Sequence, residues 1–328
     1  MIYIETGSEN VYFNFALEYY FTVEKFLGDT VFLFWRTTPT LMIGKYQNVL
    51  EEINTSSAKA HGIHLVRRMS GGGTIYTDLG GWQFTFIQHK DAKRIEFQDY
   101  IVPIIDALRT MGIQADFNGR NDLTISGKKF SGNAQYRLAN CIVHHGSLLF
   151  DTDIDQMVAS TTVDEYKIRS KSIKSVRDRV TNISDHLPVL ITPDEFKERM
   201  VRSIMDGVGK EYRLTSADRT RIEAIAAERF EGWQNLYGTD PRFNIERTDR
   251  FPGGKMTFRL DVKRGIIQNA SVFGDFFATV DGEVLCSALV GCRYEAVALK
   301  EALMEHHLDG AVYRITLDEI VQLIVGEK

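Results

Sequence analysis

Apolar residues at regular intervals predict helices and strands in the first third of the chain. One helical stripe follows Asn14 and consists of Phe15, Tyr19, Val23 and Phe26. Its spacing of three or four residues indicates an amphipathic helix. The apolar run 31–35 is typical of a buried strand, and segment 82–86 alternates aromatic with polar residues, as a strand does. A second helix is predicted around Pro103 and closes near Gly112.

Helix-start signals mark further helices in the second half. Segment 192–195, Thr-Pro-Asp-Glu, combines an N-cap, a proline at the first helical position and the glutamate of a capping box. The helix that it starts is expected to end near Gly207. Apolar spacing predicts another helix through residues 222–230. Segment 316–319 repeats the capping-box pattern, with Thr at its start and Glu three residues later.

The order of the predicted elements bears on the domain organisation. Residues 232–241 contain Gly and Trp and suit a junction between domains, so we predict two domains, 1–243 and 244–328. In the second domain, residues 256–262 alternate apolar and polar side chains, which predicts a strand with one wet face. Helices and strands follow one another in a mixed order. An α+β architecture is therefore expected, and a doubly wound parallel sheet is not.

Composition indicates a folded protein with no bias toward polyanionic partners. Of 328 residues, 44% are hydrophobic and 25% are charged, which is enough apolar content for a substantial core. The net charge of −5 gives no support for general binding to nucleic acid or to an anionic membrane. The first residues lack a basic stretch followed by an apolar one, and no apolar run approaches the roughly 20 residues that span a bilayer. These features predict a cytoplasmic protein.

Three cysteines, Cys141, Cys286 and Cys292, form an odd set without CxxC spacing. Neither a disulfide framework nor a structural zinc site is therefore predicted. Cys141 lies close in sequence to His144 and His145, as a nucleophile beside a base would. The alternative is a small buried residue entering a strand, which is the commoner role of a free cysteine.

Segment 67–76, Arg-Arg-Met-Ser-Gly-Gly-Gly-Thr-Ile-Tyr, has the composition of an anion-binding loop, and we call it the glycine loop. Adjacent glycines let a ligand lie directly against the main chain, where backbone N–H groups form an anion nest. Arg67 and Arg68 add planar, permanently charged groups. A carboxylate or a phosphate is the expected ligand. The alternative is a Gly-rich hairpin turn flanked by surface arginines.

Three further segments carry a family resemblance together with the glycine loop. They are 121–134, which contains Gly-Lys-Lys and Ser-Gly-Asn-Ala, 144–150, which begins His-His-Gly-Ser, and 171–182, which is rich in Lys, Arg and Ser. In this order they resemble the lipoate-protein ligases. Pro-Arg-Phe-Asn at 241–244 and Phe-Gly-Asp-Phe-Phe at 273–277 resemble that family's C-terminal accessory domain.

The resemblance implies a biotin/lipoate-ligase-like fold, with a class II synthetase-like mixed-sheet catalytic domain and a small α+β accessory domain. It also implies a two-step reaction. The lipoate carboxylate attacks the α-phosphate of ATP to give lipoyl-adenylate and pyrophosphate, and an acceptor lysine amine then attacks the acyl group. The implied cofactors are ATP and Mg²⁺, and the implied acceptor is the glycine cleavage H protein or a lipoyl domain of a 2-oxoacid dehydrogenase.

Lys129 matches the lysine that the family places beside the carboxylate and the α-phosphate, so it is the predicted catalytic residue. The first step brings two anions together, and a fixed cation serves it better than a proton carrier. Lys128 is expected to be the exposed member of the pair. Asp122 is the predicted Mg²⁺ ligand, because a hard cation prefers carboxylate and phosphate oxygens. For Asn121, a phosphate contact and an Asx turn both remain open.

The other site residues that the resemblance implies fall into two groups. The predicted lipoate contacts are Arg68, Ser70, Gly71, Gly72, Gly73, His145 and Gly146. The predicted nucleotide contacts are Tyr76, Asn121, Asp122, Lys129, Ser175 and Val176. A buried, hydrogen-bonded strand histidine is the alternative for His145, and an exposed basic patch is the alternative for segment 171–182. His144 is expected on the other face of the strand.

Two positions depart from the family's pattern just after the glycine loop. Thr77 stands where the family usually has a histidine, and Gly81 stands where it often has an asparagine. These changes raise the hypothesis of a ligase with a narrow acyl or acceptor range. Two alternative functions remain open. One is an ATP-independent octanoyl or lipoyl transferase acting through Cys141, and the other is a non-catalytic protein that binds a lipoyl carrier.

Overall fold

The computed structural model describes residues 1–47, 49–90, 94–161, 178–207, 209–237 and 244–326. The strands within these ranges are β1 (Ile2–Ile4), β2 (Val31–Trp35), β3 (Thr40–Ile43), β4 (His64–Arg67), β5 (Ile75–Thr77), β6 (Gly81–His89), β7 (Asp116–Phe117), β8 (Asp122–Ile125), β9 (Lys128–Leu138), β10 (Cys141–Leu149), β11 (Lys210–Glu211), β12 (Ile245–Phe251), β13 (Gly254–Lys263) and β14 (Ile266–Gly274). The helices are α1 (Val11–Val23), α2 (Val49–Glu52), α3 (Thr55–Ala60), α4 (Gln98–Thr110), α5 (Ile154–Thr161), α6 (Pro193–Met205), α7 (Ser216–Arg229), α8 (Trp233–Tyr237), α9 (Gly282–Leu289), α10 (Ala296–Glu305) and α11 (Leu317–Val325), with a 3-10 turn at Ser184–His186. The predicted domain boundary at residue 243 lies outside the described residues.

The main sheet is mixed and has the strand order β11-β1-β2-β6-β10-β9-β8-β7. The three strands at one edge of the sheet are parallel, because β1 pairs in parallel with both β11 and β2. From β2 to β9 the neighbours are antiparallel. A small sheet, β4-β3-β5, holds both ends of the glycine loop, which connects β4 to β5. This arrangement confirms the α+β expectation.

Helices cover both faces of the main sheet. On one face α1 and α7 pack against side chains such as Leu33 and Val143. On the other face α4 and α6 pack against an aromatic layer that includes Phe84 and Phe86. The C-terminal part has its own core, in which β13 packs against α9, α10 and α11. None of the helices in the described ranges is long and apolar enough to cross a membrane.

The first helix begins earlier than its apolar stripe predicts. Asn10 is the N-cap, because its side chain accepts hydrogen bonds from two backbone N–H groups of the first turn. Asn14 lies inside the helix, is buried, and donates to two backbone carbonyls outside it. The helix ends at Val23, and Phe26 beyond it is exposed. The predicted helix is confirmed, but it extends before Asn14 and does not include Phe26.

The two predicted capping boxes differ in the structure. At the start of α11, Thr316 and Glu319 form both reciprocal hydrogen bonds, as predicted. At the start of α6, the Thr192 hydroxyl accepts from the Glu195 backbone, but the Glu195 carboxylate pairs with Arg199 one turn further on. Only half of that box is formed, because the ion pair competes for the same carboxylate.

A buried carboxylate ties α1 to α7. The Asp218 side chain accepts hydrogen bonds from the Tyr20 hydroxyl (2.8 Å), the Lys25 ammonium (2.7 Å), the Tyr212 hydroxyl (2.7 Å) and the Thr215 backbone N–H (2.9 Å). Burial alone would raise the pKa of Asp218, but these donors outweigh it and hold the pKa well below its ordinary value. Asp218 therefore stays ionised and fixes the position of α1.

We expect Asp218→Asn to lower the free energy of unfolding by about 2 kcal/mol at pH 7, because it leaves Lys25 without its carboxylate partner. A lowered folded-state pKa gives stability that is present above the unfolded pKa of about 4 and is lost as the pH falls through the folded value. The difference in the free energy of unfolding between the parent and Asp218→Asn should therefore be smaller at pH 3 than at pH 7. Urea unfolding at the two pH values measures it, with the exposed Asp106→Asn as the matched control. Equal costs for the two variants would contradict the assignment.

Candidate active site

Lys129 is the second residue of β9 and is fixed through its backbone. Its N–H donates to the carbonyl of Arg179 at 2.8 Å, and its own carbonyl accepts from the N–H of Thr181 at 3.0 Å. Residues 179–181, the end of the basic segment that contains the predicted nucleotide contacts Ser175 and Val176, therefore pair directly with Lys129. The side chain points back to Asp122, with Nζ 2.7 Å from Oδ1 in an ion pair. An ammonium and a carboxylate thus meet where β8, β9 and this segment converge.

A pair of asparagines links β9 to the residue just before β8, close to Lys129. The Asn121 side chain donates to the carbonyl of Asn133 at 3.1 Å, and the Asn133 side chain donates to the carbonyl of Asn121 at 3.0 Å. His144 lies 3.3 Å from the Asn133 oxygen and stacks on Tyr100. Burial lowers the pKa of His144 well below its ordinary value, so it is a neutral core histidine. It lies on the opposite face of β10 from His145.

A cavity opens between β10, the glycine loop and α1. Of the predicted site residues, those that line it are Arg68, Gly72, Gly73, Asn121, Lys129, His145 and Gly146. Its other lining residues were not predicted from the sequence, and they are Phe15, Trp35, Met42, Thr74, Ile75, Gln83, Gly132, Asn133, Ala134, Ser147 and Phe277. Aromatic and aliphatic side chains thus share one cavity with an ammonium and amide groups. Such a lining suits a molecule with an apolar chain and an anionic head.

Arg68 donates hydrogen bonds to three residues of the glycine loop and to one residue of β3. Its guanidinium donates to the Ser70 hydroxyl at 3.1 Å and to the carbonyls of Met42 (2.7 Å), Gly71 (2.9 Å) and Gly73 (2.7 Å). Burial, reinforced by repulsion from the adjacent arginine, lowers the pKa of Arg68 to about 10. It remains charged at neutral pH. Arg68 therefore shapes the loop by binding its carbonyls.

Two of the three loop glycines are needed for a backbone contact with the C-terminal part. The N–H of Gly72 donates to the carbonyl of Phe276 at 3.1 Å, and Gly72 has a φ of +91°. A Cβ on Gly71 would lie 1.9 Å from the same carbonyl oxygen. A Cβ on Gly73 would meet nothing within 4 Å. Gly71 and Gly72 therefore permit an approach that no larger residue allows.

Side chains reinforce this contact on both sides. The Tyr46 and Phe276 rings stack with centroids 4.4 Å apart, and Lys45 forms an ion pair with Asp281. Phe277 is buried against Phe97 and lines the cavity. Phe277 thus forms part of the cavity wall, although it belongs to the C-terminal segment. From the sequence, segment 273–277 was expected only to belong to the accessory domain, and no part in the site was predicted for it.

Comparison with known proteins decides the family. A model of the lipoyl protein ligase A/B catalytic domain matches residues 10–205, which is more than half of the chain. A model of the bacterial lipoate protein ligase C-terminus matches residues 240–324. The chain belongs to the lipoate-protein ligase family. Lipoate-protein ligase LplJ of Bacillus subtilis is 39% identical to it over 316 residues, which cover 95% of this chain and 96% of that relative.

Solved structures show the same fold for this ligase. Plasmodium falciparum LipL1, solved in complex with lipoate, matches with a TM-score of 0.79 at 23% identity, over 99% of both chains. A lipoate-protein ligase A bound with ATP matches with a TM-score of 0.60 at 23% identity, over 72% of this chain and 97% of that one. The predicted lipoate-ligase fold with a C-terminal domain is confirmed.

Of the predicted site residues in the described part of the chain, Ser70, Gly71, Tyr76 and Asp122 are not among those that line the cavity, whereas Gly146 is. The Tyr76 side chain is buried in an apolar cluster with Leu41 and Ile43, and burial raises its pKa. A Cβ on Gly146 would lie 2.3 Å from the Phe84 ring, so packing on the opposite face of β10 also calls for glycine there. Ser175 and Val176 lie outside the described residues.

The two departures from the family pattern touch each other. The Gln83 amide donates to the Thr77 hydroxyl at 2.8 Å, and a Cβ on Gly81 would lie 3.0 Å from the same hydroxyl oxygen. Thr77 is buried, and Gln83 lines the cavity. The side chain at position 77 therefore influences the cavity wall through Gln83. This contact is a physical basis for the hypothesis that the residue at position 77 alters the acyl range.

Cys141 lies apart from the cavity. It is fully buried at the start of β10, where its thiol donates to the carbonyl of Thr22 at 3.3 Å and lies 3.1 Å from the His89 ring. Burial raises the pKa of Cys141 to about 11. A thiol in this environment is protonated at neutral pH and is a poor nucleophile. The structure therefore agrees with the alternative of a small buried residue.

We expect Gly71→Ala to destabilise the ligand-free protein by about 1–3 kcal/mol, because its methyl group would force the Phe276 carbonyl away from the loop. Gly73→Ala is the matched control, since its methyl group enters open space. Urea unfolding of both variants measures the difference. Equal stability of the two would show that the loop does not contact Phe276 as described.

Proposed function

We propose that this ligase is ATP-dependent: it activates lipoate as lipoyl-adenylate with release of pyrophosphate, and transfers the lipoyl group to a lysine of a carrier protein. The position of Lys129 is the observation that carries the proposal. Its ammonium lies at the polar part of a cavity whose remaining walls are largely apolar. A carboxylate and a triphosphate repel each other, and a fixed cation between them lowers that repulsion in the transition state.

The lining of the cavity supports lipoate as the substrate that it binds. Phe15, Trp35 and Met42 offer the apolar surface that a lipoyl chain needs, and Lys129 and Asn121 offer donors to a carboxylate. The lipoate complex of LipL1 and the ATP complex of lipoate-protein ligase A are consistent with lipoate and ATP as the two substrates. We assign the acyl chain to the apolar part and the reacting carboxylate to Lys129.

The residues present fit a Mg²⁺ ion that arrives with ATP. Mg²⁺ is commonly held by one or two carboxylates together with substrate phosphates and water. Asp122 supplies one carboxylate beside Lys129, and no cluster of three or more potential ligand side chains occurs in the described part of the chain. We propose Asp122 as the protein ligand. When bound, the ion would neutralise charge on the phosphates.

The proposed acceptor is a lipoyl-accepting carrier protein, either the glycine cleavage H protein or a lipoyl domain of a 2-oxoacid dehydrogenase. Both present a lysine whose amine becomes the amide nitrogen of lipoyl-lysine. All three cysteines carry free thiols, which supports a reducing compartment, and we place the reaction in the cytoplasm.

Lys129→Ala should lower lipoate-dependent pyrophosphate release from Mg-ATP by about 10²–10³-fold, because it removes a donor aimed at developing charge. Lys128→Ala is the matched control, because Lys128 is exposed and outside the cavity lining, and it should retain activity within about twofold. A stopped pyrophosphate assay with both carrier proteins present measures the two. Equal rates for Lys129→Ala and the parent would reject the proposed role. Binding of a carrier without any turnover by the parent would favour the non-catalytic alternative.

Cys141→Ala should keep its rate of lipoyl transfer within about twofold, because the thiol is remote from the cavity and protonated. Mass spectrometry of the carrier, with and without ATP, measures the transfer. An ATP-independent transfer that disappears in Cys141→Ala would establish the transferase alternative instead.

A further inference from the structure

A buried carboxylate lies behind the cavity wall at the centre of a set of hydrogen bonds. Glu18 projects from α1 and is 1% exposed. The hydroxyl groups of Tyr136 and Thr85 each donate to it at 2.9 Å, and Nδ1 of His145 lies 3.2 Å away. All three neighbours are able to donate, so an ionised carboxylate satisfies them together. The apolar helix stripe around Glu18 gave no hint of this role in the sequence.

The contact with Glu18 determines which nitrogen of His145 carries hydrogen. An ionised carboxylate only accepts, so Nδ1 is protonated and Nε2 of the neutral ring is an acceptor. Ser70 Oγ lies 2.6 Å from Nε2, so the hydroxyl donates to it. Ser70 Oγ in turn accepts from Nε of Arg68 at 3.1 Å. One chain of donations therefore runs from Arg68 through Ser70 and His145 to Glu18.

The two ends of this chain carry opposite charges. Arg68 and Glu18 are both buried, and none of the ion pairs of the described residues joins Arg68 to a carboxylate. Glu18 is thus the counter-charge of Arg68, reached through two intervening side chains. This set holds one arginine and one carboxylate, so a protonated His145 would leave a net positive charge among buried groups, which is unfavourable. The neutral ring is therefore the consistent state.

A second, shorter chain ends at the same carboxylate. The indole N–H of Trp35 donates to the Thr85 hydroxyl at 3.2 Å, and that hydroxyl donates to Glu18. Trp35, Arg68 and His145 all line the cavity, whereas Glu18 does not. One carboxylate therefore orients three of the cavity's lining side chains without touching its interior.

We propose that Glu18 is a positioning residue for the acyl substrate, which it serves by fixing the direction of both hydrogen-bond chains and so the orientation of Arg68, His145 and Trp35. This inference rests on the proposed role of the cavity as the lipoate site. Because Glu18 acts only through the acyl part of the cavity, it should influence lipoate binding and leave nucleotide binding and the chemical steps unchanged.

Glu18→Gln is the most direct test, because it keeps the volume but replaces one accepting oxygen with a donating amide. A donor then faces Thr85, Tyr136 or His145, and the chain to Ser70 loses its fixed direction. The KM for lipoate should rise about tenfold, as expected for lost hydrogen bonds to a charged group. The kcat and the KM for ATP should stay within about twofold. Glu24→Gln, in an exposed ion pair just beyond the same helix, is the matched control and should change none of these values.

Nitrogen-15 NMR of the histidine rings tests the chain independently of activity. In the parent, His145 should show a protonated Nδ1 and an unprotonated Nε2, and the signal is assigned by its loss in His145→Asn. In Glu18→Gln that pattern should change. Ser70→Ala interrupts the chain while leaving Glu18 intact, and it should reproduce the rise in the lipoate KM even if Glu18→Gln fails to fold.

Two results would overturn the proposal. One is a parent in which Nε2 of His145 carries the hydrogen. The other is an unchanged KM for lipoate in a folded Glu18→Gln or in Ser70→Ala. Failure of the proposed function is distinguishable, because the parent itself would then release no pyrophosphate with lipoate. In that case the NMR result and calorimetric binding of lipoate to the parent and variants would still decide the role of Glu18.

Discussion

A backbone contact between the glycine loop and Phe276 joins the N-terminal part of this ligase to its C-terminal part. The loop N–H of Gly72 and the Phe276 carbonyl meet at 3.1 Å, and a side chain at Gly71 would occupy the place of that carbonyl oxygen. The contact brings Phe277 into the wall of the cavity. The closure of the cavity and the position of the C-terminal segment therefore both depend on the absence of two Cβ atoms.

Hydrogen bonds from buried charges position the side chains around the cavity. Arg68 binds loop carbonyls and finds its counter-charge in Glu18, and Asp218 fixes the helix from which Glu18 projects. Each charge is surrounded by hydrogen bonds, which is the condition for keeping a charge inside a protein. Lys129 differs, because it lies at the partly exposed edge beside Asp122. Apolar walls with a cation at the edge are suited to an acyl chain with a reacting carboxylate.

Sequence patterns predicted the elements more fully than the contacts between them. The strand at 31–35 and the complete capping box at Thr316 follow from local chemistry, which acts over a few residues. The glycine loop was recognised as unusual, but its proximity to Phe276 depends on tertiary packing across two hundred residues. Glu18 was missed because a single acid in an apolar helix has no local signature, and its partners come from three separate strands.

An isotope-transfer experiment tests the proposed chemistry most directly. Lipoate labelled with ¹⁸O in both carboxylate oxygens is incubated with the ligase, Mg-ATP and a carrier protein, and the AMP product is examined by mass spectrometry. If the carboxylate attacks the α-phosphate, AMP retains one ¹⁸O for each lipoyl-lysine formed. Lipoyl-lysine formed without AMP, or with AMP that carries no ¹⁸O, would contradict activation through an adenylate.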